Sequence, residues 1–191
     1  MPSNKKSLLR HGFKAESERK SLEFRERLTL RQDDFLPPRE LAQLLSVSVH
    51  DISEYPGDAS PLCRSEAKWS AFTIRNIRGQ RLIVFNSHHS EGRQNSDLMH
   101  ELAHIICDHQ EPAVQKAIPI PSILRNYDPI AEAEATYLGG CLHIPRKALL
   151  SCLKERMSET QIAEKYAASL EMVRYRIRIT GAKIQSDKWR Y

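Results

Sequence analysis

Apolar residues recur at helical spacing over most of the chain, while strand-like patterns are short. Positions three and four residues apart predict four helices, over residues 14–30, 38–45, 91–109 and 129–142. The runs 69–76 and 80–86 are rich in β-branched and aromatic residues, and Gly79 between them suits a turn, so they predict a β-hairpin. The pattern therefore indicates an α+β fold that is mainly helical.

The C-terminal part predicts further short helices with clear boundaries. Ser158 and Gln161 have the spacing of a capping box, Ser169 suits the start of a second helix, and Gly181 suits its end. This arrangement predicts a tail that resembles a helix-turn-helix. Arginines at 174, 176 and 178 are two residues apart, so on a helix they point in different directions and do not form one basic stripe. Protein docking or a structural role is therefore favoured for this basic tail, and DNA contact is the weaker alternative.

Charge is unevenly distributed along the 191 residues, whose net charge is +5. Residues 1–31 carry a net +5, residues 32–145 a net −6, and residues 146–191 a net +6. An acidic middle between basic ends weakens a nucleic-acid interpretation of the overall charge. The absence of a long apolar run and of a secretory signal predicts a cytoplasmic protein without membrane contact, whose four scattered cysteines are reduced.

The strongest chemical signal lies in the third predicted helix, where residues 100–104 read His-Glu-Leu-Ala-His. Residues four apart lie about 40° apart around a helix, so His100 and His104 can bind one zinc ion. Glu101 lies about 100° from His100, which is where a general base belongs. The opposite side of this helix is apolar: Leu98, Met99, Leu102, Ile105 and Ile106. The pattern thus predicts a metal-dependent hydrolase.

Glu132 and Glu134 are the candidates for a third ligand on the next helix. Residues two apart point about 200° apart, so only one of them can face the metal. Apolar residues surround Glu134 on the helical projection, and a carboxylate there is costly to bury without a cationic partner. The pattern therefore favours Glu134 as the zinc ligand and makes Glu132 a solvated surface acid. A buried salt bridge from Glu134 to an arginine is the alternative.

Three segments together resemble the ImmA/IrrE family of metallo-endopeptidases: residues 100–104, residues 134–138 (Glu-Ala-Thr-Tyr-Leu) and residues 142–145 (Leu-His-Ile-Pro). The resemblance covers roughly residues 12–182. It implies a zincin-like metallopeptidase core in which His100, His104 and Glu134 bind zinc and Glu101 is the catalytic base. Manganese is the alternative metal.

The same resemblance implies a function. The chain is expected to be a zinc-dependent endopeptidase whose protein substrate is a DNA-binding repressor of the helix-turn-helix type, cleaved to relieve repression. The alternative is a non-proteolytic regulatory module that binds a repressor or DNA. We expect a peptidase domain over residues 1–145 and the helical tail over residues 146–191.

The surroundings of the motif add three hypotheses. Asp108 either orients the second ring nitrogen of His104 or is a solvated acid at the helix end. His143 is expected to be a surface or helix-end histidine, with a transition-state donor as the alternative. An exposed strand edge would hold an extended substrate, and the hairpin offers residues 82–85 or residues 72–74 for this; a hairpin that only covers the core fits the sequence equally well.

Overall fold

The computed structural model describes residues 7–54, 69–76, 78–109 and 128–187. The helices in these ranges are α1 Phe13–Arg27, α2 Pro38–Leu44, α3 Glu91–Ile106, α4 Pro129–His143, α5 Arg146–Lys154, α6 Glu159–Lys165, α7 Leu170–Thr180 and α8 Ala182–Asp187. The strands are β1 Ser48–Asp51, β2 Ala71–Arg75 and β3 Arg81–Phe85. A mainly helical α+β fold with a small sheet is therefore confirmed.

The sheet is mixed, with the strand order β1-β3-β2. β2 and β3 form the predicted antiparallel hairpin, and β1 pairs with β3 in parallel. Gly79 has a φ of +76° in the turn, which a residue without a side chain adopts at little cost. Because β3 lies in the centre of the sheet, residues 82–85 do not form an edge strand. Of the two segments predicted as a substrate-binding edge, the one on β2 remains a candidate.

The face that α1 packs against α4 is polar, although apolar spacing predicted this helix. Ser17, Ser21 and Arg25 lie four residues apart and are all buried. The hydroxyl of Ser21 donates to the carbonyl of Cys141 at 2.6 Å, and Nη2 of Arg25 donates to the carbonyl of Leu142 at 2.9 Å. The polar groups of α1 thereby satisfy carbonyl groups at the end of α4 that lack a partner within the helix.

α3 and α4 pack closely at a glycine. A Cβ atom added to Gly139 would lie 3.0 Å from the carbonyl oxygen of Met99 and 3.2 Å from Cα of His100. The backbone of α3 at the first motif histidine therefore touches the backbone of α4. This contact fixes the distance between the two helices that carry the candidate site.

Gly139→Ala should reduce the free energy of unfolding by about 1–3 kcal/mol, because the added methyl group must push two backbones apart. Urea denaturation would measure this loss. Thr136→Ala on the same helix is the control, since its side chain is only partly buried and it creates no new contact. A Gly139→Ala protein as stable as this control would contradict the close packing of α3 against α4 at Gly139.

The tail has the predicted boundaries. Ser158 and Gln161 make both hydrogen bonds of the capping box, Ser169 caps α7, and Gly181 follows α7 in the left-handed conformation. Arg176 of α7 is fully buried and donates to Glu18 of α1 at 2.7 Å and to the carbonyl of Ile144 at 2.9 Å. One of the three tail arginines is thus used inside the protein.

Buried apolar residues form two clusters, one built by α1 to α4 and the sheet, the other mainly by α5 to α8. A domain boundary at residue 145 stays a prediction. Cys107, Cys141 and Cys152 are free thiols, and Cys63 lies outside the described ranges. None of the described helices has the length and apolar character needed to cross a membrane.

Candidate metal centre

His100 and His104 point in the same direction from α3, as their spacing predicted. Their Nε2 atoms are 3.1 Å apart, and their side chains are 27% and 18% exposed. The two side chains are therefore partly exposed to solvent.

Glu132, and not Glu134, has its carboxylate beside the two histidines. Its Oε2 lies 3.2 Å from Nε2 of His100, and its Oε1 lies 3.4 Å from Nε2 of His104. Glu132 is on the first turn of α4, and its side chain is 37% exposed. Among the described residues, His100, His104 and Glu132 form a group whose donor atoms could hold one metal ion.

The electrostatics of this group reflect the close contact. Hydrogen bonds from His100 and then from His104 hold the pKa of Glu132 well below its usual range. Burial lowers the pKa of His100, but the hydrogen bond with Glu132 and the charge of Glu101 outweigh burial and raise it. The carboxylate of Glu132 therefore attracts positive charge to the point where a cation would lie.

Glu101 is held by the edge strand of the sheet. The hydroxyl of Thr73 on β2 donates to Oε2 of Glu101 at 2.7 Å. The other edge of β2 has no strand partner within the part of the chain that is described. The predicted base thus lies between the two histidines of α3 and a strand that could pair with an extended peptide.

Glu134 lies in a different environment from the one the helical projection predicted. Its Oε2 is 3.3 Å from Nε2 of His109, and its Oε1 is 3.3 Å from Nε of Arg10. The salt bridge to an arginine, which was the alternative for this residue, is therefore present. The structure does not bring Glu134 to the pair formed by His100 and His104.

Of the two hypotheses for Asp108, the structure agrees with the solvated acid at the helix end. The carboxylate of Asp108 is exposed and pairs with Arg81 at 2.6 Å, so it does not orient His104. Nδ1 of His109 takes that place, 3.0 Å from Nδ1 of His104. Burial raises the pKa of the Cys107 thiol to about 11, which keeps it protonated near neutral pH.

His143 is at the end of α4 but is not a surface histidine, since it is fully buried. Its Nε2 donates to the carbonyl of Tyr166 at 2.9 Å, and its Nδ1 lies 3.5 Å from the hydroxyl of Ser96. Both ring nitrogens are engaged inside the protein, so His143 has the predicted helix-end position but neither the surface exposure nor the free ring of a transition-state donor. Its role in the structure is to join α4 to the tail.

The buried His143 should make stability depend on pH. Burial lowers its pKa to about 4, against about 6.5 in an unfolded chain, so the unfolded chain takes up the proton first. The contribution is fully present above about pH 6.5 and is lost as the pH falls towards 4, by about 3 kcal/mol in total. Urea denaturation of metal-free protein at pH 7.5 and pH 5 would measure it.

His143→Gln should lose much of this pH dependence, because glutamine does not titrate. His11→Gln, at an exposed position, should keep the wild-type difference between the two pH values. An unchanged difference in His143→Gln would show that another group titrates.

Sequence reasoning named Glu132 but favoured Glu134 over it, and it assigned no role at the site to Thr73 or His109. A helical projection finds the side of α4 that faces the core, whereas a metal centre open to substrate faces a cleft. Partial exposure therefore favours Glu132, and the apolar arc around Glu134 marks its contact with the protein interior. His109 could have been noticed from the sequence, since it is five residues after His104 at the end of the same predicted helix.

Comparisons with known proteins concern the sequence as a whole and the fold. Residues 63–178 match the sequence model of the Peptidase_M78 family, described as the IrrE N-terminal-like domain. Among solved structures, a Mycobacterium tuberculosis transcriptional regulator is similar with a TM-score of 0.54 and 16% sequence identity, over 88% of this chain and 47% of the regulator. The chain thus spans about half of that protein, and at this identity the likeness shows the fold alone. No curated protein matches the chain significantly.

Proposed function

Because the chain belongs to the peptidase family of the IrrE N-terminal-like domain, we propose that it is a zinc-dependent endopeptidase. The observation that carries this proposal is the carboxylate of Glu132 bridging His100 and His104, with Glu101 held beside them by Thr73. Two imidazoles, one carboxylate ligand and an adjacent carboxylate base are the groups that metal-dependent peptide hydrolysis requires.

The donor atoms fit zinc. Ligands bound at about 2.0–2.1 Å in a tetrahedron lie about 3.3–3.4 Å from one another. The two Nε2 atoms are 3.1 Å apart, close to this value, and Glu132 places Oε2 3.2 Å from Nε2 of His100 and Oε1 3.4 Å from Nε2 of His104, so each of its oxygens lies near a ligand nitrogen. Three protein ligands leave one position for water or substrate, as in catalytic zinc sites. Manganese is the alternative metal, although it prefers a site richer in oxygen than two imidazoles provide.

Zinc bound there would lower the pKa of a water molecule and polarise the scissile carbonyl group. Glu101 would accept the proton of the attacking water and then deliver it to the leaving amine. The hydroxyl of Thr73 holds one oxygen of Glu101, which leaves the other oxygen for proton transfer. Thr73 therefore orients the base relative to the substrate.

The substrate would bind as an additional strand. β2 carries Thr73 and forms an edge of the described sheet, so a peptide paired with β2 would bring its backbone to Glu101. Such binding requires an extended segment in the target. The substrate we propose is a DNA-binding repressor of the helix-turn-helix type, whose cleavage in an extended linker would relieve repression.

A cleavage assay with defined metal content tests this function. Purified protein should contain about one zinc per chain and should cut its helix-turn-helix repressor, sought first among the products of neighbouring genes, into two fragments. Chelation should stop cleavage, and added zinc should restore it. A protein that relieves repression while the repressor stays intact would instead be a non-proteolytic regulatory module, which is the alternative function.

Contact of the tail with DNA has little support in the arrangement of its arginines. Arg176 is buried, and Arg174 pairs with Glu159 at 2.9 Å. Of the three arginines of α7, Arg178 is the exposed one without an acidic partner among the described residues, and a single cation on that helix does not form a phosphate-binding surface. We propose that the tail has a structural or protein-docking role.

A further inference from the structure

A chain of polar groups lies directly behind His104, on the side away from Glu132. It runs from His104 to His109, from His109 to Glu134, and from Glu134 to Arg10. We propose that His109 and Glu134 are positioning residues that select the tautomer of His104 and fix its ring, so that the Nε2 lone pair faces His100 and Glu132. We call His104, His109 and Glu134 the histidine relay; its role rests on the proposed metal site.

The end of α3 places His109 at this position. Asp108 has a left-handed backbone with a φ of +54°, which turns the chain back over the last helical turn. The backbone amide of His109 donates to the carbonyl of His104 at 3.0 Å, and that of Asp108 donates to the carbonyl of Ile105 at 3.1 Å. These two bonds form a Schellman motif. The His109 ring is therefore held against the His104 ring by the backbone.

The hydrogen bonds of the relay have only one consistent direction once a cation is bound. A metal ligand needs a lone pair on Nε2 of His104, so the proton of that ring is on Nδ1 and is donated to Nδ1 of His109, 3.0 Å away. The proton of His109 is then on Nε2 and is donated to Oε2 of Glu134 at 3.3 Å. The carboxylate of Glu134, which can only accept, thus determines the tautomer of both rings.

Burial and charge support this role. The side chains of His109 and Glu134 are 12% and 11% exposed, so water competes little for their hydrogen bonds. Arg10 approaches the second oxygen of Glu134 at 3.3 Å and also pairs with Glu16 at 2.7 Å. The guanidinium group of Arg10 offsets the negative charge of Glu134. The histidine relay therefore carries little net negative charge that would attract a cation away from Glu132.

Cys107, His109 and Glu134 also lie close enough together to hold a metal ion. The relay hydrogen bonds favour a different use of these groups. Both ring nitrogens of His109 already have partners, and Arg10 brings a positive charge to the carboxylate. Cys107→Ala is therefore a useful control, because it alters this group without changing the relay.

Zinc affinity and imidazole tautomers together test the relay. Competition with a chelator should show zinc binding weakened about 10- to 100-fold in His109→Ala and Glu134→Ala, the range typical for partners of ligand histidines. Cys107→Ala should bind like the wild type. The ¹⁵N chemical shifts of the imidazoles should show His109 protonated on Nε2 in the wild type and a mixture of tautomers in Glu134→Ala.

A conservative variant separates positioning from a loss of packing. In His109→Asn the side-chain oxygen can accept the proton of His104 at the place of Nδ1, so zinc affinity should largely return. In that background Glu134→Ala should have no further effect, because asparagine needs no tautomer to be selected. A Glu134→Ala protein with wild-type zinc affinity and an unchanged His109 tautomer would overturn the relay.

The result is distinguishable from a failure of the proposed function. If the wild type bound no zinc, the peptidase proposal would fail, and the relay would still be decided by the His109 tautomer in metal-free protein at alkaline pH. If Glu132→Ala lost zinc while both relay variants kept it, only the relay would be wrong.

Discussion

Glu132→Ala should weaken zinc binding by about 10²–10³-fold, more than any relay variant. Removing one partner from a buried set of charges costs about 3–5 kcal/mol, the partial exposure of Glu132 reduces this to about 3–4 kcal/mol, and each 1.4 kcal/mol is a factor of ten in affinity. The carboxylate of Glu132 is the acidic group that contacts both His100 and His104. Chelator competition measures the affinity, and Glu132→Gln would show how much of the loss is due to charge.

Glu164→Ala is the matched control for this experiment, because it removes an exposed carboxylate on α6. It should leave zinc binding unchanged. The comparison with Glu134→Ala decides between the two acids of α4. If Glu134→Ala lost as much zinc affinity as Glu132→Ala or more, the ligand favoured by the helical projection would be right and the bridging position of Glu132 would be misleading.

Glu101→Gln should lower the rate of repressor cleavage by about 10²–10⁴-fold while leaving zinc content and stability unchanged. The amide keeps an oxygen that can accept the hydroxyl of Thr73, so the local structure is preserved, but it cannot accept a proton from water. Quantifying the two repressor fragments over time gives the rate.

Glu91→Gln on the first turn of the same helix is the control, since its side chain is exposed and distant in sequence from the motif. It should cleave at the wild-type rate. A reporter gene under the repressor adds a second measurement in cells. Full derepression by Glu101→Gln, with the repressor intact, would show that binding and not hydrolysis carries the function.

The fold could be predicted where local patterns determine it. The hairpin, the capping box of α6 and the helix that carries His100 and His104 follow from spacing and turn chemistry alone. The buried face of α1 could not be predicted, because Ser21 and Arg25 are buried by their bonds to the end of α4. That requirement is visible only when the two helices are placed together.

The candidate site shows the same division. Residues on one helix have a relative orientation that the sequence determines, so the spacing alone places His100, His104 and Glu101 relative to one another. The choice between Glu132 and Glu134 depends on how α4 is rotated relative to α3. The spacing of residues within α4 does not specify that rotation. His109 depends on a backbone turn at Asp108, whose left-handed conformation is uncommon for a residue other than glycine.

The two buried arginines have a consequence for the metal centre that lies more than two helical turns away. Arg25 binds the carbonyl of Leu142 and Arg176 binds that of Ile144, so both hold the C-terminal end of α4. A slip of α4 by one residue would rotate every side chain by about 100° and replace Glu132 at the histidines with an alanine. The two arginines therefore fix how α4 is rotated about its axis. That rotation decides whether Glu132 or Glu134 lies beside His100 and His104.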